Sequence, residues 1–388
     1  MLPFTLEFVL ALIGAFLLSL ILTPLVRFIS FRVGAVDEPN ARRINKVTMP
    51  SAGGLAIFLA FLIIALFVLP RLTVSVKSEI PYFDYIFPVL AGATVVTLTG
   101  YFDDIFEISP KTKMLGIVVG ALIIWVFTDF HFDSFKIPFG GPMLSFGPIV
   151  TFILTLLWII SITNAINLID GLDGLVTGVS MISLGTMGLV SYFFLPQVDL
   201  FLTMTIFLLI AAILGFFPYN YHPAIIYGGD TGALFLGFMI GVLSLQGLKN
   251  ATAVAVVTPV IILGVPIVDT AVAIVRRKLS GRKITDADKM HLHHRLLAMG
   301  FTHRGAVLVV YGIAIIFSLI ALLLNISSRL GGILLITGLL FALEVLIESL
   351  EIWGEHRTPL FNALKFIGNS DYRQQTITAY QTRKKKRK

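Results

Sequence analysis

Five short polar stretches interrupt an otherwise apolar sequence and hold the side chains best suited to chemistry. In chain order they are VDEPNARRINKVTMPSAGG (36–54), GYFDDIFEISPKTK (100–113), NAINLIDGLDGL (164–175), FFPYNYHPAIIYGGDTG (216–232) and GRKITDADKMHLHHRLLAMGFTHR (281–304). The middle three stretches carry the carboxylates that could bind a metal or substrate: Asp103, Asp104, Asp170, Asp173 and Asp230. If these acids converge, they repel one another unless a cation lies among them.

The ligand types in these stretches favour a hard divalent cation. The chain has no cysteine, so thiolates cannot contribute and the ligands would be oxygen atoms. Such ligands favour Mg²⁺, with Mn²⁺ as the alternative. Mg²⁺ usually takes one or two carboxylates and completes its coordination with water and substrate phosphate. The sequence therefore predicts a metal site that uses only some of the five acids.

The last polar stretch adds hydrogen-bond donors and positive charge through His291, His293, His294, Arg295 and Arg304. Arginine binds phosphate through two parallel hydrogen bonds, which favours phosphate binding here. A zinc site is one alternative, although the HLHH spacing matches neither a zinc finger nor an HExxH helix. A basic loop that faces lipid headgroups is the other alternative.

The elements that must position these residues are membrane helices. Hydrophobic residues make up 57% of the 388 positions and charged residues 13%, against roughly 45–50% and about 25% in soluble proteins. A bilayer span needs ~20 mainly apolar residues. The sequence therefore predicts an all-α, polytopic integral membrane protein with about 11 transmembrane helices. The apolar runs are 4–28, 52–70, 85–101, 112–129, 148–166, 175–195, 200–218, 231–247, 252–275, 305–324 and 330–350.

The lysines and arginines predict the orientation of the spans, because cytoplasmic loops carry an excess of them. Of the 29 such residues, 24 follow odd-numbered runs. We therefore expect the N-terminus outside and the C-terminus in the cytoplasm. The first run lacks the basic residues that open a signal peptide, so it is interpreted as a retained span.

We expect a single transmembrane domain (1–350) and a basic cytoplasmic tail (351–388). The predicted cytoplasmic loops are 30–51, 102–111, 164–174, 219–230 and 276–304. The tail ends in RKKKRK (383–388), which would either contact anionic lipid or remain solvated. All five polar stretches open onto the cytoplasmic face. An aspartate at the end of a span usually caps a helix, but five such clusters on one side favour a functional site.

From Asp37 to Arg304, the five motifs resemble those of the polyprenyl-phosphate N-acetylhexosamine-1-phosphate transferases, in the family's order and spacing. Two features resemble the WecA/TagO branch of this family. The histidine motif reads HLHHR, where the peptidoglycan branch has three consecutive histidines, and an eleventh span is predicted. Members of that branch transfer GlcNAc-1-phosphate from UDP-GlcNAc to undecaprenyl phosphate. The alternative branch contains the phospho-MurNAc-pentapeptide translocase of peptidoglycan synthesis.

The resemblance implies a role for each matching residue. It implies a Mg²⁺-dependent catalytic site in which Asp230 binds the metal, and the residues near the metal are Asp103, Asp104 and Asn167. The catalytic residues that approach the diphosphate or sugar are His291, His293 and His294. It further implies that Tyr227 stacks on uracil. The remaining substrate-binding residues it implies are Lys46, Lys113, Asn167, Asp170, Asp173, Asn220, Arg295 and Arg304. One departure is Asn45, which stands where the family commonly has histidine and receives no role.

The reaction implied is attack by a lipid phosphate oxygen on the β-phosphorus of the nucleotide sugar, which expels UMP. A phosphate monoester has its second pKa near ~6, so the nucleophile is mostly ionised at neutral pH. A general base is therefore optional. We expect Asp103 and Asp104 to position metal, lipid phosphate or a lysine such as Lys113, with the role of one of them as base as the alternative.

Two other classes of membrane protein are alternatives. A secondary transporter would place acidic groups deeper in the bilayer, for which Asp269 in GVPIVDT is the best candidate. An aspartate-rich prenyltransferase would need two DxxxD-type repeats, which DD, DGLD and GGD do not form.

The expected partners are UDP-GlcNAc, undecaprenyl phosphate and membrane lipid, and no nucleic acid. The expected location is the inner (cytoplasmic) membrane with the active site facing the cytoplasm. The sequence leaves open the HexNAc donor, the prenyl chain length, a homodimer, and whether the product enters teichoic acid, O-antigen or another polymer.

Overall fold

A computed structural model describes residues 5–39, 47–72, 80–136, 142–194, 199–248, 253–279, 281, 291–349, 358–369, 372–376 and 378. Over these residues the protein is almost entirely helical, which confirms the predicted all-α class. Ten helical segments are long and apolar enough to cross a bilayer. The chain is therefore a multi-pass membrane protein.

The helices follow the predicted apolar runs closely. Their bounds are α1 Leu6–Val33, α2 Gly54–Phe67, α3 Leu69–Leu72, α4 Tyr82–Phe106, α5 Pro110–Phe127, α6 Pro148–Leu168, α7 Leu175–Phe193, α8 Leu200–Asn220, α9 Gly229–Leu248, α10 Ala253–Ile262, α11 Gly264–Leu279, α12 Leu292–Ala298, α13 His303–Ile326, α14 Arg329–Ser349 and α15 Pro359–Gly368. Two antiparallel strand pairs join them: β1 Val36–Asp37 with β2 Met49–Pro50, and β3 Ser134–Lys136 with β4 Met143–Ser145.

Local sequence signals fix several helix starts. The hydroxyl of Ser109 accepts a hydrogen bond from the N–H of Thr112, and Pro110 occupies the first position of α5. Thr302 caps α13 in the same way through the N–H of Gly305. A capping side chain satisfies a backbone N–H that has no partner within the helix, and proline is tolerated at the first position because its missing N–H is not needed there.

The ninth predicted run, 252–275, is divided between two shorter helices. Neither α10 nor α11 is long enough to count among the ten spans. The break falls at Leu263, directly after Ile262. Pro266 explains its position, because a proline removes one N–H and its ring clashes with the carbonyl four residues earlier.

Helix α9 lies at the centre of the bundle, because 89% of Gly229–Gln246 is buried. It packs against α4 and α6. Glycines allow this close approach: a Cβ on Gly100 of α4 would lie 2.6 Å from the backbone nitrogen of Thr231, and one on Gly54 of α2 would lie 2.8 Å from the carbonyl carbon of Thr231. The first turn of α9, which carries Asp230, is therefore held against two other helices.

The predicted tail contains the short helix α15. The buried carboxylate of Glu348, at the end of α14, accepts hydrogen bonds from the backbone N–H groups of Leu360 and Phe361. A carboxylate at a helix N-terminus is stabilising because it meets unpaired N–H groups and the positive end of the helix dipole. The RKKKRK end lies outside the described residues.

Candidate active site

All five polar stretches contribute to one cavity of about 800 Å³. Its lining includes the ends of α1, α4 and α8, the start of α9 and the loop between α6 and α7. The polar residues that line it are Asp37, Glu38, Ser51, Asp103, Asp104, Glu107, Asp170, Asp173, Asn220, His222, Tyr227, Asp230, His294 and His303. A nucleotide-sized ligand fits a pocket of this volume, since ligand sites span roughly 300–1,000 Å³.

Asp230 lies at the centre of a contact network between four helices, its own α9 and α4, α5 and α6. Its carboxylate accepts a 2.6 Å hydrogen bond from the amide of Asn167 at the end of α6, and it contacts the ammonium of Lys113 on α5. The same Lys113 nitrogen lies 2.8 Å from the carboxylate of Asp103 on α4. A lysine thus compensates two neighbouring carboxylates that would otherwise repel each other.

Asp104 has a different set of partners from its neighbour Asp103. One of its carboxylate oxygens accepts from the N–H of Asp230, and the other accepts from the N–H and hydroxyl of Thr231, over 2.5 to 3.0 Å. These donors belong to the first turn of α9, whose N–H groups have no partner within the helix. Asp104 therefore fixes the start of α9, and with it Asp230, against the end of α4.

The loop between α6 and α7 brings Asp170 and Asp173 into the cavity wall. The side chain of Asp170 is exposed where it lines the cavity. Even so, desolvation by the surrounding walls, reinforced by the negative charges of Asp230 and Asp104, raises its pKa to about 8. A bound cation would lower that pKa again by favouring the ionised form.

Tyr227 lines the cavity just before α9. Its backbone is fixed, because its N–H donates to the carbonyl of Pro50 and its carbonyl accepts from the N–H of Gly53, both at 2.9 Å. Partial burial raises the pKa of its phenol to about 12, so it stays neutral. Stacking on uracil remains a prediction for this residue.

The three histidines of HLHHR have different environments. His294 lines the cavity. His291 is buried outside the described lining, and its Nδ1 lies 2.9 Å from Asp269, whose other oxygen accepts from the N–H of Leu292. Asp269, the acid considered for a transporter, thus anchors α12 to α11. Contact of His291 with substrate stays a prediction.

His293 is also buried, and its Nε2 has no hydrogen-bond partner among the described residues. It packs on the loop that carries Asp170: a Cβ on Gly171 would lie 2.8 Å from its Cε1 atom. Burial, reinforced by the neighbouring His294, lowers the pKa of His293 to about 3. His293 is therefore neutral at physiological pH.

The other predicted substrate-binding residues lie at different distances from the cavity. Asn220 lines it, but its side chain is buried and bonded to the hydroxyl of Thr177 and the carbonyl of Ile226. Arg304 is exposed and donates to the backbone carbonyl of His222. Arg295 is half-buried on α12 and is not among the lining residues. Lys46 lies outside the described residues.

Sequence reasoning missed His222 and His303, which both line the cavity beside Asp173. Their rings stack with centroids 4.1 Å apart and planes 18° apart. The Nδ1 of His222 lies 2.6 Å from the Asp173 carboxylate, and the N–H of Asp173 donates to Nε2 of His303 at 2.9 Å. The two histidines belong to different polar stretches, and no spacing rule in the sequence links them.

A metal ion is a poor fit for this trio, although its ligand atoms lie within 4.8 Å of one another. The lone pairs of imidazole nitrogens lie in the ring plane, so two nearly parallel stacked rings direct them side by side rather than towards one point. The Nε2 of His303 is also already occupied by the N–H of Asp173. The trio is better described as a hydrogen-bonded support within the cavity wall.

The fold and the cavity define a membrane protein that gathers carboxylates, amides and imidazoles at one end of its helices. Residues 86–248 match the model of glycosyl transferase family 4. A Bacillus subtilis (strain 168) protein named probable undecaprenyl-phosphate N-acetylglucosaminyl 1-phosphate transferase is 40% identical over 352 residues, covering 90% of this chain and 94% of the relative.

Two more distant relatives carry similar names. The decaprenyl-phosphate N-acetylglucosaminephosphotransferase of Mycolicibacterium smegmatis is 34% identical over 329 residues, covering 78% of this chain and 79% of the relative. The undecaprenyl-phosphate alpha-N-acetylglucosaminyl 1-phosphate transferase of Salmonella typhi is 31% identical over 308 residues, covering 77% and 79%. The chain belongs to the polyprenyl-phosphate N-acetylhexosamine-1-phosphate transferases, as its motifs predicted.

Proposed function

We propose that this protein transfers GlcNAc-1-phosphate from UDP-GlcNAc to undecaprenyl phosphate, releasing UMP. The observation that carries the proposal is the position of Asp230, which contacts Asn167 and Lys113 in the wall of a cavity at the ends of the membrane helices. A soluble nucleotide sugar can enter such a cavity from water, while the lipid substrate keeps its tail in the bilayer. The names of these two relatives give the same lipid acceptor and the same transferred group.

The chemistry of the donor set fits Mg²⁺. The oxygens of Asp230, Asp103 and Asn167 are hard ligands, and Lys113 already places a cation between two of these carboxylates. These three residues would hold the ion, and Asp104 would act mainly by fixing Asp230. Bound Mg²⁺ would neutralise charge on the diphosphate oxygens.

The protein's own contribution is then mainly positioning. Phosphoryl transfer requires aligned substrates and compensated charge more than covalent chemistry by the protein. Asp103 is paired with Lys113, and an ionised lipid phosphate needs no proton removed. In this proposal Asp103 orients Lys113 and the metal rather than acting as a base.

The decisive experiment incubates the purified protein with radiolabelled UDP-GlcNAc, undecaprenyl phosphate and Mg²⁺. Chloroform-extractable label and released UMP in equal amounts are expected, and EDTA should abolish both. UDP-GalNAc and UDP-MurNAc-pentapeptide serve as competing donors. Absence of lipid-linked label with all three donors would overturn the proposal, and solute uptake by sealed proteoliposomes would favour a transporter instead.

The proposed location is the inner membrane, with the cavity facing the cytoplasm. The basis is the excess of lysine and arginine in the segments that adjoin the cavity. Because the chain has no cysteine, two single-cysteine variants can test the orientation. Lys111→Cys is exposed beside the cavity, and Ser145→Cys is exposed in β4, before α6. In intact spheroplasts, an impermeant maleimide should label only Ser145→Cys; labelling of Lys111→Cys alone would reverse the orientation.

A further inference from the structure

The described wall of the cavity has far more negative than positive groups. Its eight acidic residues are Asp37, Glu38, Asp103, Asp104, Glu107, Asp170, Asp173 and Asp230. The described lining residues that can carry positive charge are the three imidazoles of His222, His294 and His303. Lys113, which contacts Asp103 and Asp230, and a metal ion at Asp230 would together neutralise only part of this charge. N–H donors from the imidazoles would therefore favour the binding of an anionic nucleotide diphosphate.

Of these three, His222 is the most firmly oriented towards a ligand. Its Nδ1 donates to the carboxylate of Asp173, and that carboxylate oxygen also accepts the N–H of Ala224 at 3.1 Å. The ring of His303 stacks against its face and is itself fixed by the N–H of Asp173. The imidazole is thus held on one edge and one face.

The other ring nitrogen of His222, Nε2, has no hydrogen-bond partner among the described residues. The side chain is 34% exposed, so it is accessible from the cavity that it lines. The carboxylate on Nδ1 fixes the ring orientation and leaves Nε2 facing the cavity as the one oriented ring nitrogen available to a ligand. Nε2 donates when the ring carries both protons, a form that the negative charge of a bound phosphate favours.

We propose that His222 binds the substrate diphosphate, with Nε2 donating to a phosphate oxygen of the nucleotide sugar. Asp173 and His303 act as positioning residues that hold the ring. This inference rests on the proposed function, because it takes the donor to be a nucleoside diphosphate sugar. It assigns a substrate-binding role to the α8–α9 loop, which lies directly before the first turn of α9 and Asp230.

The test compares His222→Asn and His222→Gln with the wild type. Asparagine places its amide near the position of Nδ1 and can keep the bond to Asp173, but it loses the donor at Nε2. Glutamine reaches further and can restore that donor in part. The matched control is His131→Asn, because His131 lies outside the cavity and contacts the carbonyl of Trp125.

Affinities for uridine and for UDP, measured at fixed Mg²⁺, show whether His222 contacts the diphosphate or the nucleoside. A charge-assisted hydrogen bond corresponds to roughly a 10- to 100-fold change in affinity. His222→Asn should lose that much affinity for UDP and none for uridine, with an unchanged unfolding temperature. The KM for UDP-GlcNAc should rise by more than kcat falls. His222→Gln should recover part of the loss, and His131→Asn should resemble the wild type.

Unchanged UDP affinity in His222→Asn, or an equal loss for uridine and UDP, would overturn the inference. If His222→Asn does not fold, the same two affinities of His222→Gln decide: the affinity for UDP must fall and the affinity for uridine must not. The proposed function fails in a different way, when the wild type neither binds UDP-GlcNAc nor releases UMP from it.

Discussion

The backbone N–H of Asp230 lies 3.0 Å from a carboxylate oxygen of Asp104, so the acid that ends one helix fixes the first turn of another. Neighbouring aspartates in the DD pair thus have separate tasks. Asp103 faces Lys113, whereas Asp104 accepts from three donors at the start of α9. This division explains how two adjacent acids tolerate each other without both needing a metal.

The first prediction concerns Asp104→Asn. An asparagine has only one acceptor oxygen, and its NH₂ group would face N–H donors, so the start of α9 loses hydrogen bonds. We expect a loss of about 1–3 kcal/mol in the free energy of unfolding, together with a large fall in UMP release. Thermal unfolding in detergent and the transfer assay measure the two effects. Asp84→Asn, an exposed change at the opposite end of α4, should leave both near the wild-type values.

The second prediction concerns the close approach of α4 to α9. In Gly100→Ala the new methyl group would collide with the backbone of Asp230 and Thr231, which cannot move as a side-chain end could. Overpacking of this kind costs roughly 1–3 kcal/mol, and the shift should also displace Asp230. Gly185→Ala in α7 meets no atom within 4 Å and should be neutral or slightly stabilising. Equal unfolding temperatures for the two variants would contradict this account of the helix contact.

Much of the fold could be predicted from the sequence because each span is a long apolar run bounded by polar residues. The convergence of Asp103, Asp170 and Asp230 was also predictable, since their stretches all follow odd-numbered spans. The cavity confirms that these three acids come together. Their catalytic and metal-binding roles stay predictions.

Other features depend on contacts between distant segments and leave no local pattern. The stacking of His222 on His303 links the α8–α9 loop to the start of α13, which neither periodicity nor spacing connects. The pairing of His291 with Asp269 likewise became visible only when α11 and α12 were placed together. The break at Leu263 had a local signal in Pro266, but a hydropathy window averages over such a break.

The third prediction follows from the low pKa of His293. Burial holds that pKa at about 3 in the folded chain, against about 6.5 in an unfolded chain. Between these values the unfolded state binds more protons, so stability falls as the pH falls. Protonation of this histidine in the unfolded state should lower the free energy of unfolding by about 2 kcal/mol when the pH falls from 7 to 5. Unfolding temperatures across that range should therefore depend less on pH in His293→Gln than in the wild type. A wild-type slope in His293→Gln would show that His293 is already protonated in the folded state.

The fourth prediction uses Lys113, whose ammonium contacts both Asp103 and Asp230. A divalent cation and this lysine would share the same carboxylates, so the lysine opposes metal binding while it orients the acids. Lys113→Met removes that competing charge. Two unit charges about 4 Å apart interact by about 1 kcal/mol even in water, which corresponds to at least roughly fivefold tighter binding. We therefore expect tighter Mn²⁺ binding, measured by electron paramagnetic resonance, together with a lower kcat.

Lys111→Met, two residues away and exposed, should change neither value. Weaker Mn²⁺ binding in Lys113→Met would mean that the lysine supports the metal site rather than competing with it, and the proposed ligand set around Asp230 would have to be revised.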